Sequence, residues 1–255
     1  MAQSLIWSAL GTGFAFLMTV SGAATVFLFR KKVNDGLQKI FLGFASGIMI
    51  AASVWSLIIP AIEQAEESGG IPWIPAASGF LFGGLFLLIV DDIFAKYTKK
   101  KKSANLLVFA VTLHNIPEGM AVGLAFALAA QNMEQPELYG AAFALALGIG
   151  VQNFPGGAAV SLPLRQEGMS SGKAFLYGIL SAAVEPLFGM GVVVISGFIR
   201  PVMPWLLSFA AGAMIYVVVE ELIPTANDGG KSHRGTVGSI AGFLIMMILD
   251  VALSL

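Results

Sequence analysis

Four short polar runs interrupt an otherwise apolar chain, and each lies beside a proline: Leu113-His114-Asn115-Ile116-Pro117-Glu118-Gly119, Val151-Gln152-Asn153-Phe154-Pro155-Gly156-Gly157, Val184-Glu185-Pro186 and Glu220-Glu221-Leu222-Ile223-Pro224. On a helix, His114 and Glu118 are i,i+4 neighbours while Asn115 and Glu118 are i,i+3, so all three project into one space. The first two runs are an internal repeat: His114 to Leu124 matches Gln152 to Leu162 at six of eleven positions with no gap. Gln152 and Asn153 therefore stand in the same relation on the second helix. Imidazole, carboxylate and amide oxygen together suit a borderline divalent cation, zinc first, with cadmium, iron and manganese less excluded than the calcium and magnesium that prefer all-oxygen shells. Any one of His114, Asn115 or Gln152 alone reads equally well as a hydrogen bond across helices. Taken together with Glu118 and Glu185, they read as a metal site.

These groups must be positioned by elements that live in lipid. The chain has 255 residues, 57% of them hydrophobic and 11% charged, with a mean hydropathy of +0.84, far from the balance of a soluble domain. A span needs about 20 mainly apolar residues. Such stretches lie near 4 to 29, 40 to 62, 71 to 90, 104 to 130, 138 to 164, 174 to 199, 202 to 226 and 236 to 255. Eight transmembrane helices in one domain, residues 1 to 255, are expected, since no loop is long enough to hold another. The first stretch lacks a basic leader and reads as a retained span rather than a signal peptide.

Charge placement tests the count, because Lys and Arg gather on cytoplasmic loops. With both termini outside, thirteen of the fourteen cations fall on inner connections: Arg30, Lys31, Lys32, Lys39, Lys96, Lys99 to Lys102, Arg165, Lys173, Lys231 and Arg234. Only Arg200 falls outside. The Lys99 to Lys102 run is accordingly a topology anchor. A net charge of −1 provides no field for nucleic acid, and the absence of cysteine removes thiolate sites and disulfides.

A carboxylate near the bilayer centre costs at least about 2.5 to 3.5 kcal/mol, so one that is present faces a cavity, a partner or an ion. Glu185, about a dozen residues into span six, reads as a ligand or proton-linked partner. Glu220 and Glu221 lie nearer the inner end of span seven, where one snorkels to water while the other lines an exit pathway. Asp91, Asp92 and Asp250 read as interfacial charges and His233 as a solvated loop residue. Pro117 and Pro155 each remove a backbone donor and free the carbonyls of Leu113 and Val151, which predicts broken helices beside the polar clusters. Gly43, Ala45, Ser46 and Gly47, with Gly79, Gly83 and Gly84, permit close contacts that serve sliding or static packing alike.

With HNIPEG in span four, QNFP in span five, VEP in span six and VEELIP in span seven, the sequence resembles the ZIP family of metal transporters over essentially its whole length, and within it the prokaryotic GufA-like branch. The resemblance implies an all-α, ZIP-like bundle of eight spans with both termini outside. It implies carriage of zinc, and sometimes iron, manganese or cadmium, towards the cytoplasm from a site between spans four and five. His114, Glu118, Gln152 and Glu185 are then ligands of a first metal, with Asn115, Glu118 and Asn153 contributing to a second. One position departs: where the family has a bridging carboxylate after the span-five proline, this chain has Gly156. Too little charge remains to hold two dications close together, which predicts one metal or a weakened pair. The family's histidine-rich loop between spans three and four is also absent, replaced by Lys96-Tyr97-Thr98 and four lysines.

The expected mechanism is alternating access, spans four and five moving against the rest. Rival readings are a channel-like passive pathway and, because of Gly156, a transport-impaired relative that keeps metal binding for regulation. An enzyme is not expected: with only His114 and His233, the chain has no HExxH motif. The expected partners are divalent metal ions, as transported substrate rather than cofactor, and the lipid bilayer, with a homodimer left open. The expected location is a plasma or bacterial inner membrane, crossed several times.

Overall fold

The computed structural model describes residues 2–28, 35–97, 104–166, 168–196, 200–228 and 232–253. The apolar stretches fold as helices because only a helix satisfies its own backbone in lipid: α1 (Ala2–Ala24), α2 (Asp35–Ala52), α3 (Ile59–Glu67), α4 (Trp73–Tyr97), α5 (Ala104–Gln131), α6 (Glu137–Gln166), α7 (Ser171–Ala182), α8 (Val184–Ser196), α9 (Met203–Val217), α10 (Ile223–Asn227) and α11 (Arg234–Leu253). A π-helical stretch, Ser53–Ile58, joins α2 to α3, and another, Val218–Leu222, joins α9 to α10. Seven helical segments among the described residues are long and apolar enough to cross a membrane: Gln3–Phe27, Gly36–Glu67, Trp73–Ile93, Glu137–Leu162, Ser171–Ile195, Met203–Asn227 and Arg234–Ala252. They coincide with seven of the eight expected spans. The remaining stretch is the 28-residue α5, which carries HNIPEG.

The expected breaks at Pro117 and Pro155 do not form. Both α5 and α6 run through their prolines without interruption. A proline removes a single intrahelical bond, and packed neighbours tolerate that loss in a buried membrane helix. The interruption falls instead in span six, where α7 ends at Ala182 and α8 resumes at Val184, just before Pro186.

α1, α5, α6, α7 and α8 pack on one another as one group, and beside it stand two tight pairs, α2 with α11 and α4 with α9, joined to each other mainly where the π-helical stretch of span two meets α9. Glycines set the closeness within the group and within each pair. A Cβ on Gly22 would strike the Phe154 carbonyl and one on Gly157 the Thr19 carbonyl, joining α1 to α6, while Gly119 lies against the Glu185 carbonyl, joining α5 to α8. Gly43 and Gly47 meet the backbone of α11, and Gly79 and Gly83 that of α9. The small residues singled out in spans two and three thus serve the two tight pairs. Between the group and the pairs, α6 lies against α2 and α11, and α5 against α9, and the Met246 thioether fills the notch over Gly148.

The two ends of the bundle are also distinct. At one end the Lys39 ammonium donates to the Asp228 carbonyl, Arg234 lies over Gly36, and Phe27 packs edge-on against Phe175. At the other, Gln135 donates to Glu67 and Trp205 to Ser78. Arg30, Lys31, Lys32, Lys99 to Lys102 and Lys231 lie outside the described residues.

Candidate metal centre

Along α6, the polar pair Gln152-Asn153 is flanked by two apolar clusters. Leu145 and Ile149 belong to the large core that includes Ile48, Phe126 and Met214, and Val160 and Leu164 belong to a smaller one with Val26 and Ala174. Between them α5 contributes Asn115 and Glu118, α6 Gln152 and Asn153, and α8 Glu185, all buried. The close approach of Gly119 to the Glu185 backbone sets α8 against α5 at this level.

The groups form one hydrogen-bonded chain. The Gln152 amide donates both to Glu118 Oε1 at 2.9 Å and to Asn153 Oδ1 at 3.0 Å. Asn153 Nδ2 donates to Glu185 Oε2 at 2.9 Å, and the Thr19 hydroxyl of α1 donates to Glu185 Oε1 at 3.3 Å. Both oxygens of Glu185 are therefore engaged. Glu118 Oε2 is buried and has no hydrogen-bond partner. Asn115 is set apart: its Nδ2 donates at 2.8 Å to the Ser181 carbonyl, close to where span six breaks. That bond commits the amide nitrogen and leaves Oδ1 as the atom able to ligate.

The structure thus brings Glu118, Gln152, Asn153 and Glu185 into direct contact, with Asn115 on the same helix as Glu118. His114 lies on α5 one turn before Glu118, and its side chain falls outside the described residues. Among the described residues, no three His, Cys, Asp or Glu side chains gather as a metal-holding group. The donors here are two carboxylates and amide oxygens, the latter reached by rotating amides that now present nitrogen to Glu118 and Glu185. Gly156 adds nothing to the set, and a Cβ placed there would meet nothing within 4 Å.

Glu220 and Glu221 stand away from this chain, on the π-helical stretch after α9, with Glu220 exposed and Glu221 half-buried. Nearby, the Tyr216 hydroxyl donates to Asp91 at 3.2 Å. Asp250, near the end of span eight, is buried against protein, and its Oδ1 accepts a 2.6 Å bond from Ser56. There α11 packs against the π-helical stretch of span two. Thr19 and Ser56 escaped notice because lone hydroxyls are common in membrane helices and usually bond their own backbone.

A model of the ZIP zinc transporter family matches residues 99–250. The human zinc transporter ZIP11 is 34% identical, with 98% of each chain covered. Zinc transporter GufA of Myxococcus xanthus is 37% identical over 83% of this chain and 85% of its own. Zinc transporter ZIPB of Bordetella bronchiseptica is 36% identical over 97% of this chain and 81% of its own.

Proposed function

Because this chain belongs to the ZIP family of zinc transporters, we propose that it carries a divalent transition-metal cation, zinc first, across the membrane and into the cytoplasm through a midplane site between α5 and α6. It is a multi-pass integral membrane protein of a plasma or bacterial inner membrane. The observation that carries the metal site is Glu118 Oε2, a buried carboxylate oxygen with no protein donor in a network whose neighbouring acceptors are engaged. Leaving such a group unpaired is costly, and a cation supplies the missing charge.

In this reading Glu118 is the first ligand to meet the metal, Gln152 and Asn153 turn their amide oxygens towards it, and His114, Asn115 and Glu185 complete the set. Two carboxylates balance one dication, so a single metal is bound. Cadmium, iron and manganese are the alternative cargoes that this donor set admits. Eight spans follow if α5 crosses too, its 28 residues reaching about 42 Å at the helical rise of 1.5 Å per residue, and the gathering of Lys and Arg on the inner connections then puts both termini outside. Glu220 and Glu221 line the way out. The mechanism is alternating access, α5 and α6 with their packed neighbours moving against the remaining helices.

Uptake of zinc and cadmium into proteoliposomes tests the proposal. Saturable uptake is expected, and it is expected to vanish in Glu118→Ala. Flux that does not saturate would favour a channel-like pathway. Gly156 motivates a second reading, a transport-impaired relative, which would be supported if uptake appeared only in Gly156→Glu.

A further inference from the structure

Thr19 lies on α1, outside the polar runs of the sequence. It nonetheless meets the candidate site twice. Its carbonyl receives Gly157, the last glycine of the QNFPGG run, at a separation no side chain could enter. Its hydroxyl, buried with the rest of the residue, faces both Glu185 Oε1 at 3.3 Å and the Ala15 carbonyl of its own helix at 3.2 Å. The backbone contact fixes the height of α1 against α6, and the hydroxyl then reaches α8. One residue thereby ties the helix bearing Gln152 and Asn153 to the helix bearing Glu185.

The direction of the hydrogen bonds gives this contact a role. From Glu185 the chain runs through the Asn153 amide, which donates to it, to the Gln152 amide, which donates to both Asn153 and Glu118. A cation that draws the amide oxygens inward takes these nitrogens off the carboxylates, and Glu185 is then held from the α1 side, where Thr19 faces Oε1. Partners of this kind fix ligand orientation, and their loss typically weakens metal binding about 10-fold or more.

We propose that Thr19 is a positioning residue of the metal site, its hydroxyl holding Glu185 Oε1 so that Oε2 stays on the side of α8 where Asn153, Gln152 and Glu118 lie. The inference rests on reading that cluster as the metal site. Its test is zinc binding to the full detergent-solubilised chain by equilibrium dialysis, with Thr19→Val, Thr19→Ser and Glu118→Ala compared with the unaltered protein. Valine keeps the shape and the backbone contact while deleting the hydroxyl, so Thr19→Val is expected to weaken zinc affinity about 10-fold at unchanged stoichiometry. Serine restores the hydroxyl without the methyl, and Thr19→Ser is expected to return close to the unaltered affinity. If valine is not accommodated, Thr19→Ala carries the same expectation. Affinity unchanged in Thr19→Val would overturn the proposal, as would Thr19→Ser being as weak as Thr19→Val, which would assign the effect to packing. If Glu118→Ala binds zinc as well as the unaltered chain, or the unaltered chain binds none, the site reading itself fails and takes this inference with it. Loss in Glu118→Ala alone removes only the role of Thr19.

Discussion

Glu118 and Glu185 are both buried carboxylates of one cluster, yet their surroundings differ, and that difference bears on how many cations fit. Glu185 has donors on both oxygens, whereas Glu118 keeps one oxygen open. Two charges neutralise one dication, and a second dication beside it would be repelled strongly in a low dielectric. At Gly156 the backbone is ready for a side chain, since a Cβ there meets nothing within 4 Å. Gly156→Glu is therefore expected to fold and to raise the zinc content from one to two ions per chain, as read by metal analysis of the purified protein. A ratio unchanged by the substitution would mean that charge at this position does not set the stoichiometry. The Ser56–Asp250 pair allows a stability prediction at the same scale. Ser56→Ala removes a 2.6 Å donor from a buried carboxylate, and a hydrogen bond to a charged group contributes about 1.5 to 3 kcal/mol. A fall in melting temperature in detergent is expected, with Ser56→Thr largely preserving stability.

At the level of helices, glycine acts through what it leaves out. Gly22 sits where any Cβ would enter the Phe154 carbonyl, while Gly191 on α8 has open space around its Cβ position. The same substitution should therefore have opposite signs at the two sites. Gly191→Ala gains helix propensity, up to about 1 kcal/mol. Gly22→Ala must push α1 off α6, an overpacking cost of about 1 to 3 kcal/mol. Thermal unfolding of both variants in detergent checks the contrast, and a Gly22→Ala protein as stable as the unaltered one would show that α1 and α6 are not locked at this point. Seven spans were legible in the sequence through hydropathy, and the pairing of Glu118 with Gln152 and Asn153 through the ungapped repeat, whereas Glu185 was joined to them only by the resemblance to the ZIP family. The π-helical stretches were not, since Ser53–Ile58 and Val218–Leu222 differ from an ordinary helix only in hydrogen-bond register. Nor were the breaks: all four polar runs carry a proline, and nothing local says that α5 and α6 tolerate theirs while span six parts before Pro186. The burial of Asp250 was also hidden, because it depends on which face of α11 meets span two.

Across the whole molecule, the group holding the candidate site meets the helices beside it where Met246 of α11 fills the notch over Gly148 of α6. Gly148 is one helical turn before Gln152, and Met246 one turn before Asp250, so this contact lies close to the candidate site and spans the boundary between them. A carrier of the alternating-access kind must slide or rock along that boundary, while a fixed pore need not. The chain contains no cysteine, so replacing both residues, Gly148→Cys with Met246→Cys, introduces the only thiols in the protein. The methionine's loss makes room for the added side chain. Cross-linking the pair across the boundary is expected to abolish zinc uptake into proteoliposomes, and reduction is expected to restore it. Zinc binding to the same cross-linked protein should persist, because Glu118, Gln152, Asn153 and Glu185 all lie within one group. Uptake that continues after complete cross-linking would mean that the group need not move against its neighbours for a cation to pass, and the channel-like pathway would replace the carrier.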